Sequence, residues 1–153
     1  MLEFKKLCDS FERLTPAERG ILLSEKSITI LARLHSVSLP GMDPIAVLAG
    51  FVIGSSAADG RLNEKEYLMM YPALVRVFGD DFDFNSVKES FRWDIDGRRT
   101  IIRHTEDMIK LLDLLDDELK YDIIMLCLCI VSIDGKVRLK EKRYIWRLCE
   151  ACQ

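Results

Sequence analysis

The chain lacks a long uninterrupted apolar run. Its longest apolar stretches, residues 45–53 and 123–131, are far shorter than the roughly 20 residues that a membrane-spanning helix needs. The first nine residues mix charged and apolar side chains, unlike the apolar core of a secretory signal. We therefore expect a soluble, cytoplasmic protein that does not insert directly into a membrane.

The sequence also lacks a net positive charge and an even number of cysteines. A net charge of −3 provides no concentrated basic surface for phosphate groups, so we expect no nucleic-acid partner. The five cysteines are an odd number, which favours reduced thiols. Cys149 and Cys152 have CxxC spacing without a second such pair. A zinc site that adds Cys127 and Cys129 is a minor alternative to burial of these small apolar side chains.

Catalytic motifs are absent from the sequence. It contains no nucleophile elbow, no glycine-rich phosphate loop and no HExxH zinc motif. The two histidines, His35 and His104, have no ligand-like spacing, which weakens the case for zinc or iron. We expect that the protein is not an enzyme, and a hydrolase that uses paired carboxylates is the weakest alternative.

Helical periodicity is present almost throughout. Thr15, Pro16 and Glu18 form a helix start, with Thr as the N-cap, and this helix should extend to about His35. No segment alternates with period two, and no linker rich in Pro, Gly or Ser divides the chain. We predict one all-α domain over residues 1–153, a bundle of about seven to eight helices with an internal pseudo-twofold helix–loop–helix repeat. The N-terminal helices occupy residues 1–40 and the repeat-containing core occupies residues 43–149.

Two segments are apolar or small on every helical face, residues 45–56 and residues 123–133. A helix without a polar side is a buried helix, so we expect both at the centre of the bundle as a pseudo-twofold pair. Each is followed by Asp-Gly, by an aliphatic residue that should point inward (Leu62 or Val137), and by a charged helix start. The unit is helix–loop–helix, used twice.

The loops after these two segments resemble each other. Residues 57–66 and 132–141 each contain Asp-Gly, then a basic and an aliphatic residue, with a Glu seven positions after the Asp. The copies lie 75 residues apart (134 − 59). If the loops meet at one pole of the bundle, their four carboxylates suit a hard, oxygen-preferring ion such as Ca²⁺ or Mg²⁺. The predicted metal ligands are Asp59, Glu66, Asp134 and Glu141.

Helix capping without an ion is the alternative explanation of the two loops. Asp-Gly is a common helix end, and Glu is a common residue in the first turn of a helix. The EF-hand does not fit, because counting from Asp59 places Arg61 where an oxygen ligand is required. The acidic stretch 94–97 fits no better, and we predict a turn there before a helix at residues 99–115.

The doubled motif resembles that of the TerB-like family, named for the tellurite-resistance protein TerB. The resemblance is carried by Asp-Gly with a Glu seven residues later, after a small-residue apolar helix, and covers about residues 43–149. The copy at residues 57–66 matches the family's pattern closely. The copy at residues 132–141 lacks the Ala before Asp and has Leu139 and Lys140 where acidic residues are usual.

This resemblance implies an all-helical domain whose acidic residues bind a metal cation. Carried over position by position, the ligands are again the four carboxylates of the two loops. The resemblance also implies a role in tellurite and other stress responses, alongside an unidentified and membrane-associated protein partner. Two functions are therefore expected, a stress-response module that binds a divalent cation or a metal-free helical protein-interaction adaptor, with a carboxylate-based hydrolase third.

Overall fold

The protein is all-helical in the part of the chain that its computed structural model describes, and no strand occurs there. None of the described helices is long and apolar enough to cross a membrane. The all-α prediction is confirmed, whereas the total number of helices stays a prediction. The described residues are 2–36, 48, 51, 52, 54, 55, 95–133 and 135–151, with the backbone alone at 2, 95–102, 104 and 151. The helices are α1 (Leu2–Glu12), α2 (Pro16–Ser36), α3 (Ile95–Leu112), α4 (Asp117–Val131) and α5 (Leu139–Ala151).

Two helices begin at side-chain caps, and the sequence predicts the one at Thr15. At α2 the Thr15 backbone N–H donates to Glu18 Oε1 at 3.0 Å, and the Glu18 N–H donates to Thr15 Oγ1 at 3.1 Å. At α4 the side chain of Asp116 accepts a hydrogen bond from the Leu119 N–H at 2.8 Å. Each cap satisfies N–H groups that have no partner inside the helix, and a cap of this kind stabilises by about 1 kcal/mol.

Helix α4 is the centre of the described fold. It packs against α2, α5 and α1, and its side chains are buried on all faces from Ile123 to Val131 except at Met125. Fully burying one leucine such as Leu126 stabilises by about 1.5–3 kcal/mol. The predicted apolar helix is therefore buried as expected. It ends at Val131, two residues before the predicted Ile133.

The first apolar segment also lies in the core wherever the structure describes it. Leu48, Phe51, Val52, Gly54 and Ser55 are helical and buried. The residues 75 positions later are buried as well: Ile123, Leu126, Cys127, Cys129 and Ile130. Corresponding positions of the two segments thus have the same burial. The pseudo-twofold relation between the two helices stays a prediction.

Helix α3 begins earlier than the sequence indicates. The turn predicted at residues 94–97 is wrong for residues 95–97, because the helix begins at Ile95 and includes Asp96 and Gly97. An acidic residue in a first turn favours a helix through the helix dipole, and a glycine costs only about 1 kcal/mol. The helix ends at Leu112, three residues before the predicted end at Leu115. The Leu115 N–H donates to Leu112 O at 3.0 Å in the turn that follows the helix.

Candidate functional site

The predicted four-carboxylate site falls mostly outside the described residues. Asp59, Glu66 and Asp134 lie there, so the convergence of the two loops stays a prediction. Glu141 is described. Among the residues that the structure describes, no group of three or more His, Cys, Asp or Glu side chains could hold a metal ion.

The described part of the second loop has a fixed local shape. After α4 ends, the Ser132 hydroxyl donates to Leu128 O at 2.7 Å. The Gly135 N–H then donates to Ser132 O at 2.8 Å, with Gly135 at φ +90°, a conformation that favours glycine. Val137 follows and is 5% exposed, as predicted for the inward aliphatic residue. The Asp-Gly signal therefore marks a helix end that needs glycine for steric reasons.

Glu141 serves the start of α5. It is the third residue of that helix and is 1% exposed. Its Oε1 accepts a hydrogen bond from the Arg138 backbone N–H at 2.8 Å and lies 3.8 Å from the Arg138 Nη1 atom. The Glu141 side chain therefore forms one of the two hydrogen bonds of a capping box. It accepts from a backbone N–H at the helix start that has no partner inside the helix. The spacing of Glu141 in the sequence is compatible with this role as well as with metal ligation.

Arg19 lies against the second loop and was not singled out from the sequence. It belongs to α2 and is 3% exposed. Its Nε donates to Phe11 O at 3.3 Å and its Nη2 donates to Glu12 O at 2.8 Å, so its charge sits at the C-terminus of α1, where the helix dipole favours a cation. Nη2 also lies 3.7 Å from the point where a Cβ atom on Gly135 would lie.

Glu12 makes the second contact between the N-terminal helices and the loop. Its Oε1 accepts a hydrogen bond from the Val137 backbone N–H at 3.1 Å. We call Glu12 and Arg19 together the N-terminal clamp. The clamp joins the turn between α1 and α2 to residues 135–137, more than a hundred residues away in sequence. No local sequence pattern signals such a contact.

The groups around Glu141 and Gly135 suit a helix cap better than a cation site. Ca²⁺ and Mg²⁺ are held by several oxygen atoms. In the described part of the loop the neighbouring groups include two guanidinium ions, those of Arg19 and Arg138, and a carboxylate oxygen directed at a backbone N–H. The described contacts of Glu141 are those of a helix cap, and the other three predicted ligands lie outside the described residues.

A second charged cluster joins α2 to the beginning of α4. Lys26 Nζ lies 2.7 Å from Asp122 Oδ1, and Arg33 Nη1 lies 3.6 Å from Asp122 Oδ2. Arg33 Nη2 donates to both oxygens of Asp116 at 3.1 Å. The Leu119 N–H, and then the Arg33 guanidinium, lower the pKa of Asp116 below its ordinary value. These ion pairs hold the two helices together and pair both carboxylates of the cluster with cations of α2.

An apolar groove of about 300 Å³ lies among α1, α4 and α5. Leu7, Ile124 and Met125 line it, and Tyr121, which is 58% exposed, stands among the lining residues. The lining also includes the thiol of Cys149 without a histidine beside it. The apolar lining of the groove suits contact with an apolar side chain.

The described cysteines are core side chains rather than metal ligands. Cys8, Cys127 and Cys129 are buried and Cys149 is half-buried. Burial, and then the neighbouring Cys127, raise the pKa of Cys129 to about 12, so this thiol is neutral at physiological pH. Cys152 lies outside the described residues.

Two buried hydroxyl groups lie near each other, those of Ser55 in the first apolar segment and Tyr144 in α5. Burial raises the pKa of Tyr144 well above its ordinary value, Cys127 raises it further, and the nearby Ser55 hydroxyl lowers it. Within the described part of the chain, neither Ser55 Oγ nor Tyr144 OH has a hydrogen-bond partner of acceptable geometry. The two hydroxyls are thus neighbours without a well-formed bond, and a tyrosine so strongly held in its neutral form is a poor general base.

Comparisons with protein-family models, with curated proteins and with solved structures found no match to this chain.

Proposed function

We propose that this protein is a TerB-like helical module of the tellurite-resistance type, which acts in a stress response by binding a protein partner and not by catalysis. The observation that carries the proposal is the doubled unit. The two apolar segments have matched burial at positions 75 residues apart, and each precedes an Asp-Gly loop with a Glu seven residues after the Asp. An all-helical fold agrees with the family that the motif resembles.

The geometry favours the adaptor form of this module at the second loop. Glu141 caps α5, and the N-terminal clamp holds the loop through a guanidinium ion and a carboxylate of the protein itself. A loop that is built in this way needs no ion to present a fixed surface. The partner remains unidentified and is proposed to be membrane-associated on the basis of the resemblance alone.

A cation-binding module is the second candidate, and one observation favours it. Glu141 and the other three predicted ligands recur as a matched Asp and Glu pair in both loops, and a carboxylate set of this kind suits a hard cation. In this form Asp59, Glu66, Asp134 and Glu141 hold one Ca²⁺ or Mg²⁺ between the two loops. A site of this kind would shape the binding surface only when the ion is present.

The stress-response role is tested in the native cell. Cells that lack this protein are exposed to graded tellurite, with complementation by the wild type and by a variant carrying both Asp59→Asn and Asp134→Asn. We expect reduced survival without the protein and full rescue by the wild type. Equal survival with and without the protein contradicts the stress-response proposal. Rescue by the double variant favours the adaptor over the cation-binding form.

Thermal unfolding separates the two forms in vitro. Wild type and the same double variant are unfolded in calcium, in magnesium and in EDTA. A cation-binding module gains about 2.7 kcal/mol at an ion concentration 100 times the dissociation constant, and the double variant loses this gain. The adaptor form predicts no saturable shift in either protein. A saturable shift of the wild type alone would restore the four-carboxylate site.

A further inference from the structure

We infer that the solvent-exposed face of α2 is a docking surface for an amphipathic helix of a partner protein, one whose apolar residues are bordered by Lys or Arg. The inference rests on the protein-binding part of the proposed function, to which it adds a surface and a class of partner, and it does not involve the two Asp-Gly loops. We call this surface the α2 outer face. It consists of the exposed residues Ala17, Glu18, Ile21, Glu25, Ile28 and Ala32.

The first argument is a line of exposed apolar side chains. Ile21 is 58% exposed and Ile28 is 56% exposed. Seven residues make almost two helical turns, so the two isoleucines lie on the same side of α2, about 10 Å apart along its axis. The exposed Ala17 and Ala32 continue the line by one turn at each end. A line with this spacing is what one helix packs against another.

The second argument is that each isoleucine is accompanied by a carboxylate. Glu18 precedes Ile21 by three residues, and Glu25 precedes Ile28 by three residues. Residues three apart are neighbours on a helix surface, and both glutamates are exposed. The Glu-x-x-Ile pair therefore recurs at a distance of seven residues. An apolar position with a charged neighbour, repeated every seven residues, is typical of a helix that pairs with another helix.

The third argument is that no lysine or arginine of α2 lies on this face. Arg19 is buried, and its guanidinium donates to carbonyl groups at the end of α1. Lys26 and Arg33 pair with carboxylates at the beginning of α4. The outer face of α2 is therefore apolar with an acidic border. Its electrostatic complement is a helix with an apolar line and a basic border.

A second copy of this chain fits the α2 outer face less well. In a pair of α2 helices the glutamates of both copies would border the same seam, where like charges repel. The line from Ala17 to Ala32 is about 22 Å long and a helix is about 10 Å wide. This area is far below the roughly 800 Å² per partner of a stable complex, so we expect weak and reversible binding. An anionic membrane surface is disfavoured by the same carboxylates.

The test is a methyl NMR titration of the full chain with two synthetic peptides of about 18 residues, long enough to cover the line. Both peptides carry Leu at the a and d positions of a heptad. The basic peptide has Lys at the bordering positions and the acidic peptide has Glu there. We expect the basic peptide to shift the methyl groups of Ile21 and Ile28 saturably, with the buried Ile30 as the internal reference. The acidic peptide should bind about tenfold or more weakly.

Matched variants locate the contact. Ile28→Gln removes an apolar anchor and should weaken binding of the basic peptide about tenfold. Glu25→Gln should weaken it about threefold, and less at high salt. Leu139→Gln changes a residue of α5 that is 63% exposed, and Glu150→Gln changes an exposed carboxylate of α5, so both should match wild type. All four positions are exposed, and thermal unfolding checks that each variant folds.

The inference is overturned if Ile28→Gln and Leu139→Gln bind the basic peptide equally, or if the two peptides bind equally. Saturable shifts at Ile124 in place of Ile21 and Ile28 would assign the contact to the apolar groove and overturn it as well. So would a wild-type dimer in sedimentation that Ile28→Gln dissociates, or preferential binding of this face to phosphatidylserine vesicles. Absence of peptide binding in a protein that supports survival in tellurite contradicts this inference alone. Peptide binding by a protein that does not affect survival contradicts the stress-response role alone.

Discussion

The two ends of α4 both carry charge, but the charges are built into the fold in different ways. At its beginning, the buried Asp122 and the N-cap Asp116 pair with Lys26 and Arg33 of α2, whose side chains are 25% and 28% exposed. Beyond its end, carboxylates accept hydrogen bonds from backbone amides of the second loop, next to the buried Arg19. The first cluster holds α2 and α4 together, whereas the second fixes the backbone conformation of the loop between α4 and α5.

This difference determines how each cluster responds to change. Pairs of partly exposed side chains are screened by salt and can be replaced by water, so each contributes little to stability. A buried carboxylate that accepts from a backbone N–H leaves an unsatisfied donor when it is removed, and that loss is larger. We therefore expect substitutions in the second loop to lower the free energy of unfolding strongly and independently of salt. Substitutions in the α2–α4 cluster should lower it less, and by an amount that depends on salt.

The largest effect is expected at Glu141. Replacing it by Ala removes the cap of α5 and leaves the Arg138 N–H without this acceptor, and should lower the free energy of unfolding by about 2 kcal/mol. Glu141→Gln retains an oxygen acceptor and should cost less than half as much. Urea unfolding measures both, with Glu150→Ala on the exposed side of α5 as the control. Equal stability of Glu141→Ala and Glu150→Ala would contradict the cap.

Two glycine substitutions should act with opposite signs. Gly135→Ala forces a side chain onto a residue with φ +90° and should destabilise by about 1 kcal/mol or slightly more. Gly20→Ala lies within α2, where a Cβ atom would meet nothing within 4 Å, and should stabilise by roughly 0.5–1 kcal/mol. Thermal unfolding of both variants gives the comparison. A neutral Gly135→Ala would show that the positive φ is not required.

A smaller, salt-dependent effect is expected at Asp122. Asp122→Asn weakens the ion pairs with Lys26 and Arg33 and should lower the free energy of unfolding by about 1 kcal/mol at low salt. The loss should shrink in part in about 1 M NaCl, because Asp122 is 8% exposed whereas its partners Lys26 and Arg33 are partly exposed to solvent and salt. Asp107→Asn, on an exposed position of α3, is the control. A loss that does not change with salt would contradict a contribution from these partly exposed ion pairs.

The smallest effect is a pH dependence at the helix starts. The Leu119 N–H lowers the pKa of Asp116, and the Thr15 N–H lowers the pKa of Glu18. A carboxyl group with a lowered pKa in the folded state adds stability above its unfolded pKa of about 4, and this stability is lost as the pH falls through the folded value. Asp116→Asn keeps an acceptor for the cap and cannot titrate. Its stability should therefore fall less than that of the wild type between about pH 5 and pH 3.

Local signals in the sequence predict the helix starts well and the buried charges poorly. The cap at Thr15 depends on residues three positions apart, so spacing alone identifies it. The contact between Glu12 and Val137 joins residues 125 positions apart, and only the folded chain brings them together. The sequence does not determine the role of Glu141 for a related reason. A Glu in the first turn of a helix can act either as a cap or as a metal ligand.

Two further differences have simple physical causes. The turn predicted at residues 95–97 is helical, because one Asp and one Gly are tolerated in a first turn when the remaining periodicity is strongly helical. The all-round apolar character of residues 123–131 correctly indicated a central helix, because no face of it could be left in water. Burial patterns over whole segments are thus more reliable than single turn residues.

The most direct test of the central claim, that the second loop is held by the protein's own charges, is an NMR titration of its amides. The ¹H–¹⁵N shifts of Gly135, Val137 and Arg138 are recorded in the full-length protein in EDTA, and then with increasing calcium or magnesium. We predict that all three shifts stay unchanged, since Glu12, Arg19 and Glu141 already hold this segment. A saturable shift of these amides that disappears in Asp134→Asn would contradict the account and would establish the loop as a cation site.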